Sequence, residues 1–511
     1  MISVENYLRK NGPSLSSDIT ESLVNNHGVL AATARKRVSR GGSEVLKLDL
    51  SFPRNAKFLF LREQSGSNEY WSNLVDALLK SNSAYGYAIL SLQARNGVMP
   101  LSHFEIVCGS PIKQKKHLAA SVVLERLISV NLVKTIEVTK LGKCIYLSVH
   151  SNRIESLLPG LKARLLAESI LLRGFESWLK KNNFVSYNQV KTRDFVPNPT
   201  VSTTAWDLCG PSYLSPLVTF SSVGTQPKPG FVTCDVLIND KVYDSALAPY
   251  LKKVNSLRSL KNVGRTLHFF IAKSYDSDAF SHLKAEGISP ATIQSIFGRE
   301  VSDGISEVLS IFTDLIPNSG LDLSSLDKIF NILGKVEGAA SRIRGAFFEY
   351  LIADIVKSSV SCHSVDMNRI CKSAKLDIAG KRQEAEADVI CVTNDNQVIF
   401  IEGKGYSPKA EISREIVNDW LVRQVPIFFD YCRNHPDWNN KKFVFKFWTS
   451  STFSEEAIAL LKEMKSSISP KKYSLDYLNG SDIDTLIKST SNTQLLKIYR
   501  EHFSKHPLNN I

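Results

Sequence analysis

The residues of this 511-residue chain whose types and spacing best suit chemistry are Asp388, Glu402 and Lys404. Two runs have strand character: Ala387-Asp388-Val389-Ile390-Cys391-Val392, and Gln397-Val398-Ile399-Phe400-Ile401-Glu402-Gly403-Lys404. Asn394-Asp395-Asn396 between them is turn chemistry, so they are expected to pair as a hairpin. A period of two puts Glu402 and Lys404 on one face, and thirteen residues separate Asp388 from Glu402. Two carboxylates and an ammonium are thereby expected at adjacent hairpin positions. Close carboxylates repel unless a cation lies between them, and hard oxygen donors select Mg²⁺ or Mn²⁺. Lys404 can orient or deprotonate a water and offset charge growing on a phosphoryl group. The set suits metal-assisted hydrolysis of a phosphodiester.

The elements that must position these groups follow from the flanking pattern. Ala339 to Val356 reads as one helix, with Ile343, Phe347, Tyr350 and Leu351 at three- and four-residue steps and Glu349 beside the apolar face. A carboxylate there needs solvent, a partner or a metal. A polar stretch separates this helix from the hairpin. Downstream come a helix from Ser413 to Gln424, a buried strand Phe443 to Trp448, a helix Ser454 to Met464, and a last strand and helix around Leu475–Tyr477 and Asp482–Ile487.

Residues 335–490 resemble the PD-(D/E)XK nuclease superfamily, in its restriction-endonuclease-like branch. The resemblance rests on Asp388-x(13)-Glu402-x-Lys404, the upstream helical Glu349 and the order of elements after them. It implies a central mixed sheet flanked by helices, with Asp388, Glu402 and Glu349 as Mg²⁺ or Mn²⁺ ligands and Lys404 as the motif lysine. Arg414 and Gln424 become candidate phosphate or site-stabilising contacts. Ala387 stands where the motif's Pro would be, and Glu384 and Glu386 are further acids, either of which could replace Asp388 as a ligand.

The first third is basic. Residues 1–150 hold 19 Lys and Arg against 11 Asp and Glu, which is +8 of the chain's +13, and this favours a polyanionic partner. Residues 1–64 read as helix (Val4 to Arg9), helix capped by Ser16/Ser17, basic helix (Leu30 to Ser39) and hairpin (Val45 to Leu50, Lys57 to Leu61). This order resembles a winged helix-turn-helix, which implies nucleic-acid contacts by Arg35, Lys36, Arg37 and Arg40 on the third helix and by Arg54 and Lys57 at the wing. A second copy is expected within 65–155, its third helix opened by Lys113, Lys115, Lys116 and His117 and running to Val130, with a hairpin over Leu132–Val149. Winged helices also serve as protein–protein modules, so the basic faces alone do not choose.

Residues 156–290 echo the last third. Arg173-Gly174-Phe175-Glu176 parallels Arg344-Gly345-Ala346-Phe347-Phe348-Glu349, and Trp206-Asp207-Leu208 precedes the strand Phe231–Leu237. A helix (Ala246 to Leu260) and the strand Thr266–Ile271 follow. Thr233-Cys234-Asp235 stands where Glu-x-Lys should be, so this segment is expected to be a degenerate copy that scaffolds, pairs with the active copy or helps hold substrate; the rival reading is that α/β sequences with buried strands look alike. Residues 291–334 read as a helical connector broken at Pro317–Gly320, and Ser221–Gly230 as a loop.

The fold class expected is therefore multidomain: α+β winged helices, then α/β restriction-endonuclease-like domains in one or two copies, the active one at 335–511. Composition agrees with a globular chain, at 43% hydrophobic and 22% charged residues. No run reaches the ~18 apolar residues of a membrane span, and the start lacks an apolar signal core. The eight cysteines have no C-x-x-C pair and read as reduced core residues of a cytoplasmic protein. No phosphate-loop motif occurs, and His268, on an apolar strand, reads as a core residue rather than a catalyst.

The function expected is a Mg²⁺-dependent nuclease acting on DNA, double-stranded by preference, of the kind found in restriction and phage defence. Two rivals stand beside it. One is a non-catalytic DNA-binding protein on a nuclease-like scaffold. The other is a subunit of a larger nucleic-acid-processing complex activated by a partner. The oligomeric state, a homodimer among the options, is not specified by the sequence.

Overall fold

A computed structural model describes residues 3–219, 227–314, 329, 331–333, 336, 339–376, 380, 382–408, 410–469 and 472–504. Residues 221–226 of the loop expected at 221–230, and the helix break expected at 317–320, lie outside them. The chain is a mixed α/β protein with several small sheets, and no described helix is long and apolar enough to cross a membrane. It divides into two compact units, residues 1–161 with 175–296, and residues 162–174 with 297–511.

The first unit opens with helices Val4–Asn11, Ser16–Asn25 and Ala31–Arg40, and strands β1 (Ser14–Leu15), β2 (Val45–Leu48) and β3 (Phe58–Leu61) in the order β1-β3-β2. Val4, Leu8, Ile19, Leu23, Ala34 and Val38 recur at helical spacing and close on Leu59 and Leu61, which is why three short helices hold together here. The Ser16 hydroxyl does not cap its helix; it accepts from the Lys57 amide at 3.0 Å and ties the helix to the start of β3.

Helices Asn68–Lys80, Ala84–Gln93, Leu101–Val107 and Ala120–Ser129 follow, with β4 (Val98–Pro100), β5 (Val133–Val138) and β6 (Gly142–Leu147) in the order β4-β6-β5. Two expectations are corrected. Leu101–Val107 is an additional helix. Lys113, Lys115 and Lys116 do not open the last helix of this group but lie in the loop before it, because Lys116 takes a left-handed φ of 64° that no helix accommodates. The Ile112 amide anchors that loop on the Thr203 carbonyl at 2.8 Å.

The rest of the first unit is built on a five-stranded sheet. Its members are β7 (Lys191–Thr192), β10 (Leu208–Ser212), β11 (Gly230–Leu237), β12 (Thr266–Ala272) and β13 (Ser289–Thr292); β8 (Thr200–Val201) and β9 (Thr204–Ala205) form a separate pair. The order is β7-β10-β11-β12-β13, with two antiparallel pairings followed by two parallel ones. Helix Asp244–Arg258 joins β11 to β12, and helix Ser277–Ala285 joins β12 to β13. Ala291 and Thr292, read as the start of the connector, belong to β13 and complete this sheet instead, and helices Ile293–Phe297 and Arg299–Asp314 come after it.

In the second unit, helix Ala339–Ser359 precedes β14 (Cys362–Leu376), β15 (Arg382–Thr393) and β16 (Gln397–Lys404); β18 (Lys442–Thr449) and β20 (Ser474–Leu478) complete a five-stranded sheet, while β17 (Glu411–Ile412) pairs with β19 (Thr452–Phe453). The order is β14-β15-β16-β18-β20, again two antiparallel pairings and then two parallel ones. Strand order, direction and the placing of helices between strands are thus the same in the two large sheets.

Cys362–Leu376, read as a polar stretch, is a 15-residue strand. The helix expected to end at Gln424 continues through a π-helical turn, Trp420–Gln424, into Val425–Asn434. Val398 and Phe400 pack with Trp420, Val425, Phe428 and Phe445 in one apolar core.

Candidate active site

Strands β15 and β16 pair with Val389 opposite Ile401 and Val392 opposite Val398, turning through Asn394–Asn396 with Asn396 at φ 65°. One step further along this register sets Asp388 opposite Glu402. Asp388 Oδ2 accepts from the Gly403 amide at 2.7 Å, and Lys404 Nζ donates to Glu402 Oε1 at 2.6 Å. The hairpin and the shared face of Glu402 and Lys404 are therefore as expected.

The glycines of Glu402-Gly403-Lys404-Gly405 have a packing cause. A Cβ on Gly405 would lie 2.3 Å from the Arg344 carbonyl oxygen, and one on Gly403 would lie 2.5 Å from Ile352 Cδ1. Helix Ala339–Ser359 can approach β16 this closely only because both positions lack a side chain. The same helix carries Glu349.

Three further residues join the group. Asn368 takes a left-handed φ of 52° inside β14, between Met367 (opposite Val389) and Arg369 (opposite Ala387). With its amide nitrogen turned toward the carboxylates, Asn368 donates to Glu349 Oε2 at 3.0 Å and to Glu386 Oε1 at 3.2 Å. Lys162, in the part of helix Ile154–Lys181 that belongs to this unit, donates to the same Glu386 oxygen at 2.6 Å. Glu386, noted in the sequence as an extra acid, is thus tied into the cluster. Asn368 and Lys162 had no local signal, since their partners lie on other elements.

Burial sets the electrostatics. Asp388 is 0% exposed, and Glu386 and Glu402 are each 3% exposed, while the side chains of Lys404 and Lys162 keep 24% and 32%. Carboxylates this deep need cations or hydrogen-bond donors around them. The donor set, all carboxylate oxygen on three neighbouring elements, matches a hard divalent ion in chemistry. Among the described residues no group of three or more His, Cys, Asp or Glu side chains stands close enough to hold a metal as arranged. Of the group, Lys404 and the half-buried Glu349 keep part of their surface in solvent.

The expected nucleic-acid contacts fall in several places. Arg35, Lys36 and Arg40 are exposed on helix Ala31–Arg40 and Arg37 is half-buried, because Ala34 and Val38 turn the opposite face inward. Arg54 is exposed at the hairpin tip, and Lys57 is 3.7 Å from Asp49. Lys113, Lys115 and Lys116 are exposed on their loop. In the second unit Arg414 is exposed at the first turn of its helix. Gln424 lies in the π-helical turn, its side-chain oxygen buried with no hydrogen-bond partner among the described residues.

The first unit's large sheet carries a comparable group. Leu208 pairs with Cys234, so the next step sets Asp207 opposite Asp235, and Asp207 Oδ2 accepts from the Val236 amide at 2.9 Å. This repeats the relation of Asp388 to Glu402 and the Gly403 amide. A lysine was expected to be absent here; an ammonium is nonetheless present, donated by Lys253 of helix Asp244–Arg258 to Asp235. His268 lies between the Thr233 and Thr266 hydroxyls, each at 2.7 Å. Burial, with lesser contributions from Arg258 and Lys253, pushes its imidazole pKa down to about 3. Kept neutral and enclosed, it is a core residue, as expected.

Compared with protein-family models, with curated proteins and with solved structures, the chain has no match.

Proposed function

We propose that the protein is a divalent-metal-dependent nuclease that hydrolyses phosphodiester bonds of DNA, its basic N-terminal helices engaging the duplex. The observation that carries this reading is the hairpin group. Asp388 and Glu402 occupy opposed positions, Asp388 is fixed by the Gly403 amide, and the Lys404 ammonium lies 2.6 Å from Glu402. Asp388 and Glu402, with Glu349 from the neighbouring helix, would hold Mg²⁺ or Mn²⁺, which supplies Lewis acidity toward a phosphoryl oxygen and an acidified water. With its ammonium on Glu402 and 24% of its side chain exposed, Lys404 would orient the attacking water and offset charge on the phosphoryl oxygens. Asn368 fixes Glu349 and Glu386 relative to one another.

On the N-terminal side, the exposed cations of helix Ala31–Arg40 suit phosphate contacts along a groove, with Arg54 at the hairpin tip as a second point of contact. The order of helices and the β1-β3-β2 sheet support the winged-helix reading. A role in restriction or phage defence, in the cytoplasm, fits such a combination by analogy alone.

The test uses the purified full-length chain on plasmid, linear duplex and RNA with Mg²⁺ or Mn²⁺. Wild type is expected to cut, and Asp388→Asn and Lys404→Met to fall by about 10²-fold or more. Equal cutting by all three places the activity outside this group.

A second reading, a non-catalytic DNA-binding protein on the same scaffold, is favoured by one observation. Asp388 and Glu402 are almost wholly enclosed, and lysine ammonium groups already contact Glu386 and Glu402. Calorimetry with Mn²⁺ separates the two, because the scaffold takes up no ion that Asp388→Asn abolishes.

A further inference from the structure

The geometry points to a second acidic centre, in the first unit, in which the Lys253 ammonium stands in the place of a cation and closes the centre to divalent ions. It goes beyond the proposed activity and does not require the second unit to hydrolyse anything.

Three observations converge. The first is register. Asp207 and Asp235 stand one step beyond the Leu208–Cys234 pair, as Asp388 and Glu402 stand one step beyond Val389–Ile401, in sheets of the same order and direction. The second is the shared amide bond, from Val236 to Asp207 in one case and from Gly403 to Asp388 in the other. The third is the cage around the ammonium. Lys253 Nζ donates to Asp235 Oδ2, to the Ile106 carbonyl at 2.8 Å and to the Ala205 carbonyl at 3.1 Å, so all three of its protons meet oxygen. The Trp206 ring, 4.1 Å from Nζ, covers the group.

A carboxylate with main-chain carbonyls around a positive charge is the donor set of a hard cation site. Here the charge is tethered through the helix Asp244–Arg258, and Arg193 neutralises Asp207 at 3.0 Å. Asp207 is 0% exposed, Asp235 and Lys253 each 2%. Lys404 differs, with 24% of its side chain in solvent. A lysine whose protons are all engaged and which no water reaches cannot act on a substrate. It can neutralise and cross-link, and that is the role assigned to Lys253.

Removing the ammonium should leave a cavity lined by Asp235 and two carbonyls that a divalent ion can enter. The experiment places Lys253→Ala in the full chain already carrying Asp388→Asn and Glu402→Gln, so that the second unit contributes no binding. Mn²⁺ is the probe, followed by calorimetry and by thermal unfolding. Lys253→Ala is expected to take up one Mn²⁺ more than its parent and to show a Mn²⁺-dependent rise in Tm. Lys253→Arg and Lys253→Ala/Asp235→Asn should show neither. If Lys253→Ala fails to fold alone, refolding with Mn²⁺ should recover the parent's circular dichroism. A folded Lys253→Ala without added uptake, or an unfolded one that Mn²⁺ does not rescue, overturns the inference. Uptake by the parent that Asp235→Asn abolishes overturns it as well. Absence of cutting by the wild-type chain counts against the proposed function only.

Discussion

Adding one methyl group at Gly405 tests how the candidate site is assembled. Its Cβ would lie 2.3 Å from the Arg344 carbonyl oxygen, 2.5 Å from Phe348 Cβ and 2.9 Å from the Arg344 carbonyl carbon. Two of these atoms are backbone, so no rotamer change relieves the contact. Restoring ordinary separation requires helix Ala339–Ser359 to withdraw from β16 by about 1 Å, at an overpacking cost of about 1–3 kcal/mol. Glu349 would withdraw with it, and a 1 Å misplacement near reacting atoms costs about 10²-fold in rate. Gly403→Ala is the internal comparison. Its Cβ meets Ile352 Cδ1 at 2.5 Å, the far end of a flexible side chain, and nothing else nearer than 3.5 Å. Ile352→Val removes that atom, so Gly403→Ala/Ile352→Val should recover most of the loss, whereas Gly405→Ala/Ile352→Val should recover none. Thermal unfolding reads the packing cost, at about 2–4 °C per kcal/mol for a unit of this size, and the proposed metal-dependent cutting would read the displacement. Gly405→Ala with unchanged Tm and unchanged cutting would refute the packing of helix on strand described above. An Ile352→Val rescue of Gly405→Ala would refute the assignment of the clash to backbone.

Three further outcomes are expected. His268 in the folded chain takes up its proton only near pH 3, whereas unfolded chains do so near 6.5, so stability should fall as pH drops through that window by about 1.4 kcal/mol per unit; urea unfolding between pH 6.5 and 4.5 should show about 2–3 kcal/mol of loss that His268→Gln abolishes, and an unchanged slope in that variant refutes the assignment. Lys162→Met removes the nearest cation from buried Glu386 and, with Lys162 one-third exposed, should cost about 1–3 kcal/mol; adding Glu386→Gln should return most of it, and a double variant no more stable than the single one speaks against the pair. Arg35→Glu/Lys36→Glu/Arg40→Glu should weaken duplex binding at least about 10-fold and lower the salt slope by about three, one per phosphate contact; an unchanged gel shift leaves that helix without a polyanion partner.

Some of this architecture could be read along the chain because neighbouring residues carry it. Val398–Ile401 running into Glu402, with Asn394–Asn396 before it, specifies a buried strand entered by a turn, and period two alone puts Glu402 and Lys404 on one face. Ile343, Phe347 and Leu351 specify a helix face by the same kind of local repetition. What was misread had no such repetition. Cys362–Leu376 is the edge strand of its sheet, partly exposed and polar along much of its length, and an edge strand needs no apolar run. Ser289–Thr292 is too short to announce a strand, and its place is set by pairing with β12. Lys113–His117 looks helical by composition, yet the anchoring of Ile112 on Thr203 and the left-handed Lys116 hold it as a loop.

By itself, then, the sequence determined those helices and buried strands that carry a local apolar repeat, and that an acid pair and a lysine belong to one hairpin, because those properties depend on residues a few positions apart. Only the tertiary structure decided that Lys162 reaches Glu386, that Asn368 joins Glu349 to Glu386, and that Lys253 supplies the charge missing from the strand containing Asp235. Each of these joins residues brought together by sheet order and helix packing. A buried charge accepts any partner of opposite sign and suitable reach, so the spacing of residues along the chain does not specify which one it meets.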